Sequence, residues 1–272
     1  MNRCLTRIAF TAGLTSAALL AAASIASADT AVMGSTLAND FDGGVSGTAT
    51  TVSVQIAYDP ATSPNPVVSP ANGVITGWKV KSADDGAIYT LKVLRPNGPV
   101  SLVTATNSNF TAVTSLQAPS AVPAGTGVAT PTGVIFFYPA SLPISKGDYV
   151  GLRSGGATDG LPQHTTNGLQ VNKIANNFSG QPADGSAANL LADEQHDLLL
   201  QTTIQYCNVP DLKKLKTKAA KQAIVAHDCT PKVKKSRVKK NKFRGKVVKQ
   251  KTPAGTTATP GTVVPIVIGI KK

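Results

Sequence analysis

Between residues 29 and 206 no long stretch of the sequence repeats with the 3.6-residue period of a helix, which rules out most helical architectures. What recurs instead is a short β-branched or aromatic run bounded by Gly, Pro, Asn or Asp. Candidate strands are residues 51–58, 74–81, 87–95, 101–106, 133–138, 148–153 and 197–204. Tyr89, Leu91 and Val93 point one way, and Thr90 and Lys92 the other. Val74, Thr76, Trp78 and Val80 share a face opposite Lys79 and Lys81. Such period-two alternation describes half-buried antiparallel strands. Asp84-Asp85-Gly86 and Arg95-Pro96-Asn97-Gly98 supply turn chemistry between them. Residues 60–72 and 118–132 read as surface loops, and 154–167 and 179–188 as irregular segments. The 178 residues of this region are ample for one core. The expected fold is mainly β: a jelly-roll-like β-sandwich, then a small α+β module.

Charge marks where that module begins. The chain has a net charge of +13. Residues 207–272 hold sixteen Lys and two Arg against only Asp211 and Asp228, a net of +16. Residues 29–206 hold seven basic and twelve acidic side chains, a net of −5. A break this sharp indicates a domain boundary near Tyr206. The run Leu198-Leu199-Leu200-Gln201-Thr202-Thr203-Ile204 leads straight into Cys207, so no flexible tether is expected.

Residues 1–28 have the pattern of a secretory signal peptide. Arg3 and Arg7 open it, no charge occurs from Ile8 to Ile25, and Ala26-Ser27-Ala28 closes it. The competing reading is an N-terminal membrane anchor, but Thr11, Gly13, Thr15, Ser16 and Ser24 make the middle only weakly apolar. Cys4 lies too early to be the lipid-bearing cysteine of a lipoprotein. Later apolar runs have strand length, so no transmembrane segment is expected after cleavage. The mature chain is expected to be secreted, extracellular or envelope-associated. Cleavage would leave Cys207 and Cys229, an even number in an exported chain, which points to one disulfide.

The C-terminal region opens with Val209-Pro210-Asp211-Leu212. A helix is expected over residues 217–227 with Thr217 as N-cap, and strands over 246–250 and 263–270 around a Pro253-Ala254-Gly255 turn. The opening, the Gln250-Lys251-Thr252-Pro253-Ala254-Gly255 stretch and the final Gly261-Thr262-Val263-Val264-Pro265-Ile266-Val267-Ile268 together resemble the PASTA domain. That module occurs in extracellular parts of bacterial serine/threonine kinases and some penicillin-binding proteins. The resemblance implies an envelope-facing role and peptidoglycan fragments as possible ligands. Two departures stand out: Lys214 occupies a place where the family usually has Gly, and the segment after Cys229 lacks the usual Gly. In the first domain, Gly73–Trp78, Tyr89–Pro96 and Leu142–Leu152 resemble uncharacterised sandwich domains of exported actinobacterial proteins, which implies no activity.

Catalytic chemistry is hard to assemble from these residues. Ser154, Asp159 and His164 could be written as a triad, but no G-x-S-x-G elbow accompanies them. His196 sits in a charged Asp193-Glu194-Gln195-His196-Asp197 stretch that reads as a turn. No spacing suggests a metal site or a cofactor. Trp78, Tyr89, Tyr138 and Tyr149 could form a sugar platform, but their places within alternating strands favour the core. The expected function is therefore non-catalytic: binding of peptidoglycan or an anionic cell-wall polymer by the basic module. Its candidate contacts are Lys232, Lys234, Lys235, Arg237, Lys239, Lys240, Lys242 and Arg244. With two Arg and only Phe243 as an aromatic, the module lacks the forks and stacking rings of specific nucleic-acid binding. The alternative is a secreted carbohydrate-binding or carbohydrate-active protein with its site in the sandwich. Oligomeric state is not legible.

Overall fold

The computed structural model describes residues 29–42, 52–57, 64–100, 109–130, 132–155, 161–165, 173–176, 183–189, 192–194 and 196–271. The leader with Cys4, the candidate strand 101–106 and Asp159 lie outside the described residues. Two antiparallel sheets face each other. One has the order β1 (Asp29–Gly34), β13 (Leu200–Asn208), β3 (Gly73–Ser82), β6 (Val134–Ile144). The other runs β10 (Ala187–Asn189), β5 (Asn109–Gln117), β4 (Tyr89–Pro96), β7 (Tyr149–Ser154), β2 (Val52–Ala57), β9 (Lys173–Asn176), β11 (Ala192–Glu194).

Trp78 and Val80 of β3 lie with Tyr89, Leu91 and Val93 of β4 in one buried cluster, the sandwich core. Ile75 joins them only because the register shifts between Ile75 and Gly77. The expected common face of Val74, Thr76, Trp78 and Val80 is broken there, and Val74 and Thr76 are only half-buried. Trp78 and Tyr138 pack with ring centroids 4.6 Å apart and planes tilted by 40°, and burial raises the Tyr138 and Tyr149 hydroxyl pKa values. Asp148, itself buried, is held by the Arg95 guanidinium at 2.8 Å, and that bond raises the Arg95 pKa.

The small unit lays α2 (Thr217–Ala226) on a three-stranded sheet of order β14 (Thr230–Val238), β17 (Val263–Lys271), β15 (Val247–Gln250). The β14–β17 pair is parallel and β15–β17 antiparallel. Leu212, Ala220, Ile224, Val264 and Ile266 form its core with Cys207 and Cys229. Those cysteines are joined in a disulfide with Cα atoms 5.0 Å apart.

The two units share a strand. β13 leaves the sandwich sheet and pairs at Cys207 and Asn208 with β16 (Thr257–Ala258) of the small unit. Side chains brace the junction. His227 Nδ1 lies 2.6 Å from the Asp29 carboxylate, and the Gln205 amide donates to Asp228 at 2.8 Å.

Several elements depart from expectation. β1 and β5 carry weak patterns and are not among the candidate strands. Within the stretch read as a loop over 118–132 lies a short helix, α1 (Thr126–Ala129), where Asp85 accepts the backbone N–H groups of Gly125 and Gly127. Those bonds lower the Asp85 pKa. β6 continues to Ile144 through Pro139 and Pro143, because it is an edge strand and proline is tolerated where no ladder bond is needed. Segment 197–204 is divided at Leu199: β12 (His196–Leu198) pairs with β8 (Gln163–Thr165), and only β13, from Leu200 onward, joins the sandwich sheet. His196 is thus a strand residue and not part of a turn. Thr217 is not the N-cap: Lys216 holds that place without a side-chain cap, and the Thr217 hydroxyl donates to the Gly245 carbonyl at 3.0 Å.

Candidate functional site

Residues 229–272 contain no Asp or Glu, so every charged side chain that the sheet of the small unit displays is positive. All eight predicted contacts, Lys232, Lys234, Lys235, Arg237, Lys239, Lys240, Lys242 and Arg244, are exposed. Strand geometry divides them. Along β14 the side chains alternate, so Lys235 and Arg237 share the face of Val233, which packs towards the core, while Lys232 and Lys234 project from the opposite face. Lys239, Lys240 and Lys242 lie at and beyond the end of β14, around a 3-10 turn at Asn241–Phe243. The Lys242 ammonium rests 5.3 Å from the Phe243 ring centroid, within cation–π reach.

Lys235 and Arg244 are brought together at an open cleft of about 350 Å³. Its apolar lining is Val233, Ile268 and Ile270; Lys271, Thr217, Gly245 and Gly269 complete it. Thr217 opens α2, whose first turn carries no acidic side chain. The positive end of that helix therefore adds to the cations. Lys271 and Thr217 are absent from the sequence-based set, because they come from opposite ends of the module and only the sheet unites them. The cleft can hold an anionic group with a small apolar portion against its floor. A surface this cationic attracts anions over roughly a Debye length, about 8–10 Å at physiological ionic strength.

This α-on-β unit, closed by a disulfide and carrying the Val209–Leu212 opening in its core, matches one known family over residues 208–269. Residues 208–269 are a PASTA domain. No curated protein and no solved structure matches the chain. PASTA domains occur in extracellular or periplasmic parts of bacterial proteins and bind peptidoglycan or peptides, which points to a cell-wall-related role. The disulfide fits an extracellular location. The backbone shows why a glycine would suit the place that Lys214 holds. Lys214 has φ +66°, a left-handed conformation that glycine adopts freely and a lysine only at a cost.

Elsewhere the sequence-level candidates take structural places. Ser154 is buried, and His164 Nδ1 lies 2.9 Å from the Asp40 carbonyl and 3.3 Å from the Asp42 carboxylate. Trp78, Tyr89, Tyr138 and Tyr149 are all buried and offer no sugar platform. Among the described residues, no group of three His, Cys, Asp or Glu side chains could hold a metal ion, and no helix is long and apolar enough to cross a membrane.

Proposed function

We propose that the protein is a secreted, non-catalytic component of the bacterial cell envelope whose PASTA domain binds peptidoglycan or anionic wall polymers through its cationic face. The observation that carries this reading is the cleft where Lys235, Arg244 and Lys271 meet in a module without an acidic residue after Asp228. Lysine supplies point charge without the planar fork of arginine, which suits a flexible polyanion read by charge density. The leader pattern and the disulfide support export.

The mature chain is expected to sediment with isolated anionic cell walls at low salt and to be released by about 0.5 M salt, where the screening length is only a few Å. K235Q/R244Q should release at lower salt, its log–log salt slope reduced by about 2 for two lost ionic contacts. Retention that is indifferent to salt would reject charge as the driver. Equal salt-resistant retention on walls stripped of their anionic polymers would point to peptidoglycan itself.

A further inference from the structure

The outer face of the β1–β13–β3–β6 sheet has a composition unlike the rest of the sandwich. Residues 29–206 carry twelve acidic side chains. Only Asp29 falls in these four strands, and it is bonded to His227 at the junction. Across the outer face one row reads Val32, Thr203, Gly77, Pro139, and the next reads Gln201, Lys79, Phe137.

Phe137 is 60% exposed, the most exposed large hydrophobic residue among those described. Its ring leans over Gly77: a Cβ at that position would stand 2.5 Å from Cε2 and 2.8 Å from Cζ. The glycine leaves the space that lets the ring settle against the sheet, an arrangement in which an aromatic covers a bare backbone. The ring is thus held from below and open above. Directly across the strand pair is Lys79, whose ammonium has no partner among the described residues. The Gln201 amide, next in the row, is fixed by donating to the Ser35 carbonyl at 2.9 Å.

We propose that this face is a binding platform for an acidic polysaccharide, with one sugar ring stacked on Phe137 and its carboxylate paired with Lys79. A pyranose offers polarised C–H groups on one face, which suit the electron-rich face of an aromatic ring. Its hydroxyls suit the amide and hydroxyl of Gln201 and Thr203. Charge complementarity selects the acidic sugar: within a domain of net −5, these strands hold Lys79 and Lys81 and, Asp29 apart, no acidic residue. Because Lys81 is paired with Asp40 from outside the sheet, it is Lys79 that is left to meet a carboxylate. Side chains directly opposite on neighbouring strands lie about 5 Å apart at Cβ, a spacing that lets one sugar unit touch both Phe137 and Lys79. The platform is separate from the PASTA cleft and calls for a carboxylated sugar, whatever polymer the cleft takes.

The test is calorimetric titration of the full mature chain with tetragalacturonate, and with cellotetraose as a neutral control, in about 0.15 M salt where long-range attraction is screened. Tetragalacturonate should bind at least about tenfold more tightly than cellotetraose. F137A should weaken it about tenfold, K79Q should weaken it about threefold or more, and F137W should preserve it. In the K235Q/R244Q background, which removes the PASTA cleft's own attraction for polyanions, F137A and K79Q should weaken the remaining binding by the same factors. Loss of binding in K235Q/R244Q alone would assign the sugar to the PASTA cleft and overturn the proposal. So would full affinity in F137A, equal affinity for the neutral sugar, or no binding at millimolar concentrations. Sedimentation showing self-association that F137A abolishes would make the face an interface between two copies, also overturning it.

Discussion

The sandwich and the PASTA domain reach stability by different routes. In the sandwich, two sheets enclose large side chains such as Trp78, Tyr89, Leu91 and Leu152, each essentially inaccessible to solvent. The PASTA domain has a short helix over three strands, within the C-terminal region 207–272 that carries a net +16. Its core is smaller, its lysines repel one another, and a module of this size is marginal on apolar burial alone. The Cys207–Cys229 bridge ties the end of β13 to the residues just after α2. A domain can therefore devote its surface to one sign of charge when a covalent link restricts the unfolded chain. The sandwich needs no such link, because its acidic and basic groups are dispersed and its core is large.

Three experiments would break or sharpen this contrast. The largest effect is expected for W78A, which empties the centre of the sandwich and should cost about 3–5 kcal/mol in chemical denaturation, lowering the sandwich transition while the disulfide remains formed. Next, C207S/C229S should cost about 3 kcal/mol, the chain-entropy value for a loop of this length. Hydrogen exchange should show the loss concentrated in α2, β14 and β17, with the core strands β3 and β4 still protected. Protection lost equally in both units would show that their shared strand makes them one cooperative block. The smallest effect is a gain: K214G relieves a left-handed lysine and should raise the stability of the PASTA domain by up to about 1 kcal/mol. A loss instead would show that the Lys214 side chain contributes more than its backbone conformation costs.

Much of the architecture is legible in the order of residues. The alternation of Tyr89, Leu91 and Val93 against Thr90 and Lys92 announces β4, and that of Trp78 to Lys81 announces the second half of β3, whose first half is turned over by the register shift after Ile75. Those patterns are strong because one face of each strand packs in the central apolar cluster, although the other face of β4 is covered as well, with Thr90 and Lys92 buried and Lys92 paired with Asp184. β1 and β5 escape such a reading since their side chains do not alternate cleanly between apolar and polar, and β6 is cut short because its prolines read as a stop. The positive module is plain from composition, but its geometry is not. Alternation along β14 separates Lys232 and Lys234 from Lys235, and the fold brings in Lys271 and Thr217 from distant places. Phe137 is hidden for the same reason, as nothing local distinguishes it from the buried Tyr138 beside it.

By itself, the sequence determined that the first domain would be built of strands, that the second would be a compact cationic unit, and that two cysteines would be available to join. These depend on local periodicity, composition and spacing, which act over a few residues. Only the tertiary structure decided which lysines share a cleft, which aromatic faces solvent, and that β13 would serve both units. Those outcomes depend on register and sheet order, which are set by long-range pairing between strands, and a shift of one residue in such a pairing would turn every side chain to the opposite face.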